Sequence, residues 1–398
     1  MSDLPESVLA QSLLLPELGL LGARRSRGHL TIDAQKQSRA EVCVRCATLS
    51  HAIYDHRWIT VKDEPIRSRE VILRIFKRRF YCHPCGRVFS EPVPGILPRR
   101  RTTQRFRRAV LESCESFQSL SKVIAKFRCS SSLIYTALYE QLELRRRTRQ
   151  YPWPEVIGID EISFKRNRKF GCTEYATVIV DIKNKRLIEV VLGKRAKDLM
   201  EALAHIPGRE NVKWVVMDMC DAFKKFTIDF FPNAQIVADK FHVIRLPTPY
   251  LIKTLKNDTA PSAQRRRSRR LMLSRPENLD YFERSSLYRF LDQNPKLRAM
   301  YTAKEKLFGF YSIRFSPAAS GSFEKLIAFL EQTQVPELLR LARTLKKWKP
   351  QILGYFQNRL TNGMVEGFNN KIKLVKRMAY GYRSFRNFRL RVLNACAA

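Results

Sequence analysis

The sequence is short of negative charge. Asp and Glu total 37 against 74 Lys and Arg, a formal excess of +37. Beyond Glu366 there is no acid at all. A surplus of that size repels itself in the folded state, so it points to a polyanionic partner, nucleic acid first. A membrane surface fits less well, because the basic residues recur along the whole chain instead of lining one amphipathic helix. The sequence also lacks an apolar run long enough to span a bilayer. The stretch Leu9–Leu21 follows Asp3 and Glu6 and is broken by Pro16 and Glu17, which argues against a signal peptide. It reads as a short amphipathic helix packed on the next domain. Solenoid repeats are absent. A disulfide framework is disfavoured by an odd count of nine cysteines, four of them in two C-x-x-C pairs. That usage fits metal binding in a cytoplasmic, nucleoid-associated protein.

At 398 residues and 44% apolar, the chain has room for several packed domains. The expected class is multidomain α+β: a zinc-ribbon-like finger, a helix-turn-helix, and an RNase H-like α/β core with an α-helical insertion. The boundaries fall at 1–98 for the N-terminal segment and finger and 99–150 for the helix-turn-helix. The core follows in two parts, 151–244 and 356–398, around an insertion over 245–355. The finger rests on Cys43, Cys46, Cys82 and Cys85. Two residues between thiolates let each knuckle present both sulfurs to one tetrahedral ion, and two knuckles close a structural zinc site. The long separation between knuckles accommodates a hairpin, and the alternating run Val71–Tyr81 reads as one of its strands. His83, inside the second knuckle, is assigned beside the ion or facing DNA.

A basic segment follows, with Arg99, Arg100, Arg101, Arg105, Arg107 and Arg108. Residues 104–148 show helical periodicity, with Val110, Leu111, Cys114, Phe117 and Leu120 on one face. A turn at 128–130 and an N-cap at Ser130 or Ser131 would divide two helices. The second would enter a major groove from Ser131 onward, while the basic run, Arg145 and Arg146 hold phosphates. Two consecutive amphipathic helices are also common in any α domain.

From Glu155 the pattern changes to strands: Val156–Asp160, Tyr175–Asp181, Arg186–Gly193, then helix, Val212–Asp218, helix, and Ala234–Asp239. Asp160 and Asp218 each end a strand, and Glu366 lies near the start of a helix. Phosphodiester cleavage and strand transfer use two divalent ions about 4 Å apart. Hard carboxylate oxygens suit Mg²⁺, with Mn²⁺ as a substitute. Any one strand-terminal Asp is often only a loop cap, and Asp221, close after Asp218, is an alternative second ligand. Asp239 and His242 are auxiliary: they could hold a metal through water or position DNA, and His242 could equally be structural. Asn362, Asn369 and Asn370 flank Glu366, to orient it, contact DNA or cap the helix. Past Glu366, Lys371, Lys373, Lys376, Arg377 and Arg383 accumulate among Tyr380, Tyr382, Phe385 and Phe388, a combination suited to gripping DNA.

Several segments carry a specific likeness: Gly158–Glu161, Val216–Met219, Val237–Val243, Thr361–Lys371 and Ala379–Arg383. In these the chain resembles the ISL-three (ISL3) family of insertion-sequence transposases over nearly its whole length. The resemblance implies Asp160, Asp218 and Glu366 as a catalytic triad with Mg²⁺. It also implies the terminal inverted repeats of a mobile element and a target DNA as substrates, and assembly as a homo-oligomer on DNA. A DNA-binding regulator with a scaffolding core and a structure-selective nuclease remain the alternatives.

Overall fold

The computed structural model describes residues 15–26, 28–115, 120–148, 151–166, 171–256 and 262–397, with no side-chain description at 262–265. The chain divides into two compact units, Met1–Arg149 and Gln150–Ala398.

The first unit is built on β1 (Leu18–Ser26), β2 (His29–Lys36), β3 (Glu41–Val42), β4 (Leu49–Ser50), β5 (Ile53–Ile66), β6 (Arg69–Cys82) and β7 (Arg87–Ser90). The main sheet runs β1-β2-β6-β5 with β7 also on β6. The alternation in β6 buries Val71, Leu73 and Ile75 against Ile32, Ala34 and Val61, as period-two patterning requires. The end of the Leu9–Leu21 stretch is a strand and not a helix. Leu18 pairs with Lys36 at the start of an antiparallel hairpin whose ladder satisfies the backbone, while Leu9–Leu14 lie outside the described residues.

Three helices follow: α1 (Gln104–Glu115), α2 (Leu120–Phe127) and α3 (Ser131–Thr148). Phe106, Val110, Leu111 and Cys114 of α1 and Ile134, Ala137, Leu138 and Leu142 of α3 are buried, at helical spacing; Phe117 lies outside the described residues. Arg128 takes the left-handed conformation (φ 46°) that turns α2 into α3, and Ser130 Oγ accepts from Leu133 N at 3.3 Å to start α3.

The second unit holds β8 (Val156–Arg166), β9 (Thr173–Asp181), β10 (Arg186–Leu192), α4 (Ala196–Leu203), β11 (Trp214–Met217), α5 (Asp221–Phe230), β12 (Gln235–Ala238) and α6 (Lys240–Arg245). The sheet order is β10-β9-β8-β11-β12. β8, β9 and β10 are antiparallel neighbours, whereas β11 and β12 run parallel to β8. One face packs Ile157, Ile159 and Ile179 against Leu199, Phe223 and Phe226 of α4 and α5.

From there to the C-terminus the described residues form no further strand. α7 (Pro247–Lys256), α8 (Ser262–Leu273), α9 (Tyr281–Asp292), α10 (Pro295–Tyr311), α11 (Ser316–Gln332) and α12 (Pro336–Lys347) share one large apolar core. α13 (Lys349–Asn358) returns to the sheet, with Gly354 close against Ile236 O of β12. α14 (Gly363–Met378) and α15 (Phe385–Ala395) cover the other sheet face, where Val365, Ile372 and Phe388 meet Ile162, Phe164 and Val178.

Candidate active site and metal centres

Strand register assembles the acidic site. β11 pairs with β8 only as far as Met217↔Ile159, and β12 with β11 as far as Ala238↔Met217. The next residue on each strand is an aspartate: Asp160, Asp218 and Asp239. Three carboxylates therefore stand side by side where the parallel ladder stops, at the C-terminal edge of the strands. Asp160 does not end its strand. β8 continues to Arg166 because its pairing with β9 outlasts that with β11.

The period of two separates Asp160 from Glu161. Asp160 shares the face of Gly158 and Ile162, toward α14, while Glu161 lies 3.2 Å from Lys194. Asp160 Oδ2 accepts from Asn369 Nδ2 at 2.7 Å and Oδ1 from the Glu161 amide at 2.7 Å. Burial, then the nearby Asp218 charge, push its carboxyl up to about 6. Asp239 is 2% exposed, and its Oδ1 accepts the Asn362 backbone N–H at 3.0 Å. Its Oδ2 is bonded to His242 Nδ1 at 3.0 Å, and the same nitrogen lies 2.6 Å from Asp218 Oδ1. The one Nδ1–H lies between the two carboxylates, and Asp218 Oδ1 is buried against the ring that it pairs with. The carboxylates, Asp218 first, hold the imidazole protonated to about pH 10, so in this geometry His242 supplies the positive charge between them.

Ligand atoms of Asp218, Asp239 and His242 fall within 4.8 Å of one another. Two carboxylates converging on one imidazole form a donor set that a divalent cation fits once it displaces the imidazole proton. Asp239 and His242 are thus as central as Asp218. Their signal was present in the sequence: Gln235–Ala238 followed by Asp repeats the apolar-strand-then-acid pattern of the other two, with His242 one helical turn on. Asp221 is placed elsewhere, exposed at the start of α5 and paired with Lys347 at 2.6 Å.

Glu366 lies exposed on the first turn of α14, one helical turn before Asn369, and stands outside the Asp218–Asp239–His242 cluster. Asn362 does not cap the helix with its side chain; its Nδ2 donates to Ile159 O at 3.0 Å, fixing the helix start to β8. Asn369 holds Asp160, and Asn370 is exposed. Gly158 makes this approach possible, since a Cβ there would lie 2.4 Å from Val365 Cγ2 and 2.6 Å from Asn362 Oδ1.

In the first unit, Cys43, Cys46, Cys82 and Cys85 bring their sulfurs within 4.8 Å of one another. Each pair sits at a hairpin turn, between β3 and β4 and between β6 and β7, and the fourteen-residue strands β5 and β6 fill the separation. The Cys46 thiol is lowered to about 6 by the Thr48 hydroxyl and then by Cys85, while the Cys85 thiol is pushed up to about 12 by Cys46. Sulfurs that share protons this way are poised to lose them to one cation. His83 is exposed, edge-on to Tyr81, and outside the cluster.

The basic residues divide. Arg107 is 1% exposed, bonded to Thr102 Oγ1 at 2.9 Å and paired with Glu140, so it braces α1 against α3 and does not reach a phosphate. Arg105 pairs with buried Asp63, Arg100 with Glu140 and Arg145 with Glu115; Arg146 is half-buried. Arg99, Arg101, Arg108 and Ser131 are exposed. In α14 and beyond, Lys371, Lys373, Arg377 and Arg383 are exposed, whereas Lys376 Nζ donates to Ser163 O at 2.8 Å. Among the described residues, no helix is long and apolar enough to cross a membrane.

Known proteins resemble this chain in both of its units. The ISL3 DDE-transposase family model matches residues 157–392, and the zinc-finger model of the IS204/IS1001/IS1096/IS1165 transposases matches 39–85. The transposase for insertion sequence element IS1001 of Bordetella parapertussis is 25% identical over 375 residues, 91% of this chain and 90% of that protein. The transposase for element IS1557 of Mycobacterium tuberculosis is 27% identical over 258 residues, 57% of each chain. A Lactococcus lactis protein named an ATP-dependent protease is 37% identical over 106 residues, 26% of this chain and 32% of its own, too short a match to carry a function. The first family match spans the whole acidic site and more than half of the sequence, so the chain belongs to the ISL3 family of DDE transposases, enzymes that act on DNA.

Proposed function

We propose that this transposase cleaves DNA at the terminal inverted repeats of an insertion sequence and joins the 3′ ends to a target. The observation that carries the reading is the register of Asp160, Asp218 and Asp239 across three parallel strands, with Asp218 Oδ1 buried against the His242 ring. Asp160, Asp218 and Glu366 would hold two Mg²⁺ or Mn²⁺ ions, with Asp239 and His242 beside Asp218. When bound, such ions activate the attacking oxygen and stabilise the leaving one. The chain's own part is positioning: Asn369 aims Asp160, Asp239 fixes the start of α14, and that helix carries Glu366. The strand order supports an RNase H-like core.

Zinc on the four cysteines is structural in this reading, because four protein ligands leave no open position. α2 and α3 act as a helix-turn-helix, with Ser131 leading α3 into a major groove and Arg99, Arg101 and Arg108 on phosphates. Lys371, Lys373, Arg377 and Arg383 grip DNA near the acidic site, and the active form is an oligomer on DNA in the cytoplasm.

The test uses the purified chain, Mg²⁺ or Mn²⁺, and DNA carrying the inverted repeats that flank its coding region. Asp160→Ala, Asp218→Ala and Glu366→Ala should bind these ends and fail to cut them, while Asp221→Ala keeps both functions. Wild-type protein that binds the ends and never cuts them would sink the reading. Cleavage of branched DNA regardless of sequence, without end joining, would mark a nuclease instead.

A further inference from the structure

We infer that Tyr380 is a stacking platform for an unpaired DNA base. Its neighbours in sequence are used internally. Phe385 and Phe388 pack edge-on and tilted against Phe164, at ring separations of 5.3 and 5.2 Å, and Tyr382 packs on Phe388 at 5.4 Å. Tyr380 alone of the four is 100% exposed.

The backbone makes that exposure costly. Tyr380 N donates to Arg377 O at 3.0 Å and Gly381 N to Lys376 O at 3.1 Å, the paired hydrogen bonds of a Schellman cap ending α14. In such a cap the first residue past the helix is left-handed and is usually glycine. Here Tyr380 occupies it at φ 51°, and the glycine comes one position later at φ 98°. A bulky residue in that conformation is strained, and this one has no packing in return. Two main-chain hydrogen bonds therefore fix the Cα from which the aromatic ring leaves the helix end into solvent. The exposed cations Arg377 and Arg383 lie on either side in sequence, and no acid follows Glu366. A solvent-facing ring on a fixed backbone within a basic, acid-free segment is the chemistry of single-strand stacking, in which cations track phosphates and the ring takes a base face.

The helix fixes a scale. Tyr380 lies fourteen residues beyond Glu366, roughly 20 Å along the axis. This inference rests on the DNA-end reading above and adds a specific contact to it.

The experiment compares the full-length protein with Tyr380→Ala, Tyr380→Phe and Tyr380→Gly. The probes are a terminal-repeat duplex bearing an oligothymidine tail with one 2-aminopurine, and the same duplex with a blunt end. The wild-type protein should quench the 2-aminopurine on binding. Tyr380→Ala should lose that quenching and bind tailed DNA about tenfold more weakly, with blunt-duplex affinity unchanged. Tyr380→Phe should behave as wild type. Tyr380→Gly, which relieves the backbone, should bind tailed DNA as weakly as Tyr380→Ala. Equal losses on both probes, no loss on either, or full binding by Tyr380→Gly would each overturn the assignment. Wild-type protein that binds neither probe would overturn the DNA-end reading as well.

Discussion

Asp160 shows most clearly what one position contributes. Its carboxyl is held near pH 6 by burial and by Asp218, above the ordinary value of 3.8. A raised folded-state value means that the charged form costs stability: the penalty is absent below about pH 4, grows between pH 4 and 6, and is complete above. Asp160→Asn should therefore stabilise the protein without added Mg²⁺ at pH 7.5, on the order of 1–3 kcal/mol, and lose that advantage below pH 4. Denaturant melts across pH would show it, and a flat difference would mean that Asp160 is not under electrostatic strain. Gly158 is under steric constraint instead. Gly158→Ala drives a methyl into Val365 and Asn362, an overpacking cost of about 1–3 kcal/mol, and Val365→Ala in the same chain should recover part of it. Additive losses in a double-mutant cycle would place the two residues out of contact.

Among elements, the three-helix segment separates bracing arginines from exposed ones. Arg107→Ala leaves Glu140 and Thr102 without their buried partner and should lower stability by about 2 kcal/mol. Arg108→Ala should leave the melting temperature unchanged and weaken DNA binding; the reverse pattern would reassign the two. The sequence could not separate them, because adjacent arginines in a basic run look alike until helical phase and the position of Glu140 are known. The two finger hairpins carry a further prediction. Cys43→Ser with Cys46→Ser should release one zinc per chain, measured by metal analysis, and melt the unit that holds β5 and β6. Retention of zinc would place the ion elsewhere. The C-x-x-C spacing made this site readable from sequence, because both sulfurs of a knuckle are local. The end of the Leu9–Leu21 stretch was not readable as β1, because its pairing with β2 is a tertiary choice.

On the scale of the whole molecule, the charge of +37 should make DNA binding strongly salt-dependent. If six or more phosphates are neutralised, affinity should drop by about a thousandfold or more between 50 and 200 mM salt. A shallow slope by titration would show that most of the excess charge faces away from DNA.

The sequence by itself determined the chemistry available. Paired cysteines at knuckle spacing, acids after apolar strands, an Asn-rich helix start and an acid-free basic end are local patterns, and each survives without knowledge of the fold. Tertiary structure decided which of those groups meet. Strand pairing set Asp160, Asp218 and Asp239 at one level, whereas Asp221, three residues past Asp218, went to Lys347. Asn369 came to Asp160 across a gap of 209 residues, and Arg107 was buried while Arg108 remained in solvent. Contacts of that kind follow from register and helix phase, which fix directions in space that a linear pattern of residue types does not contain.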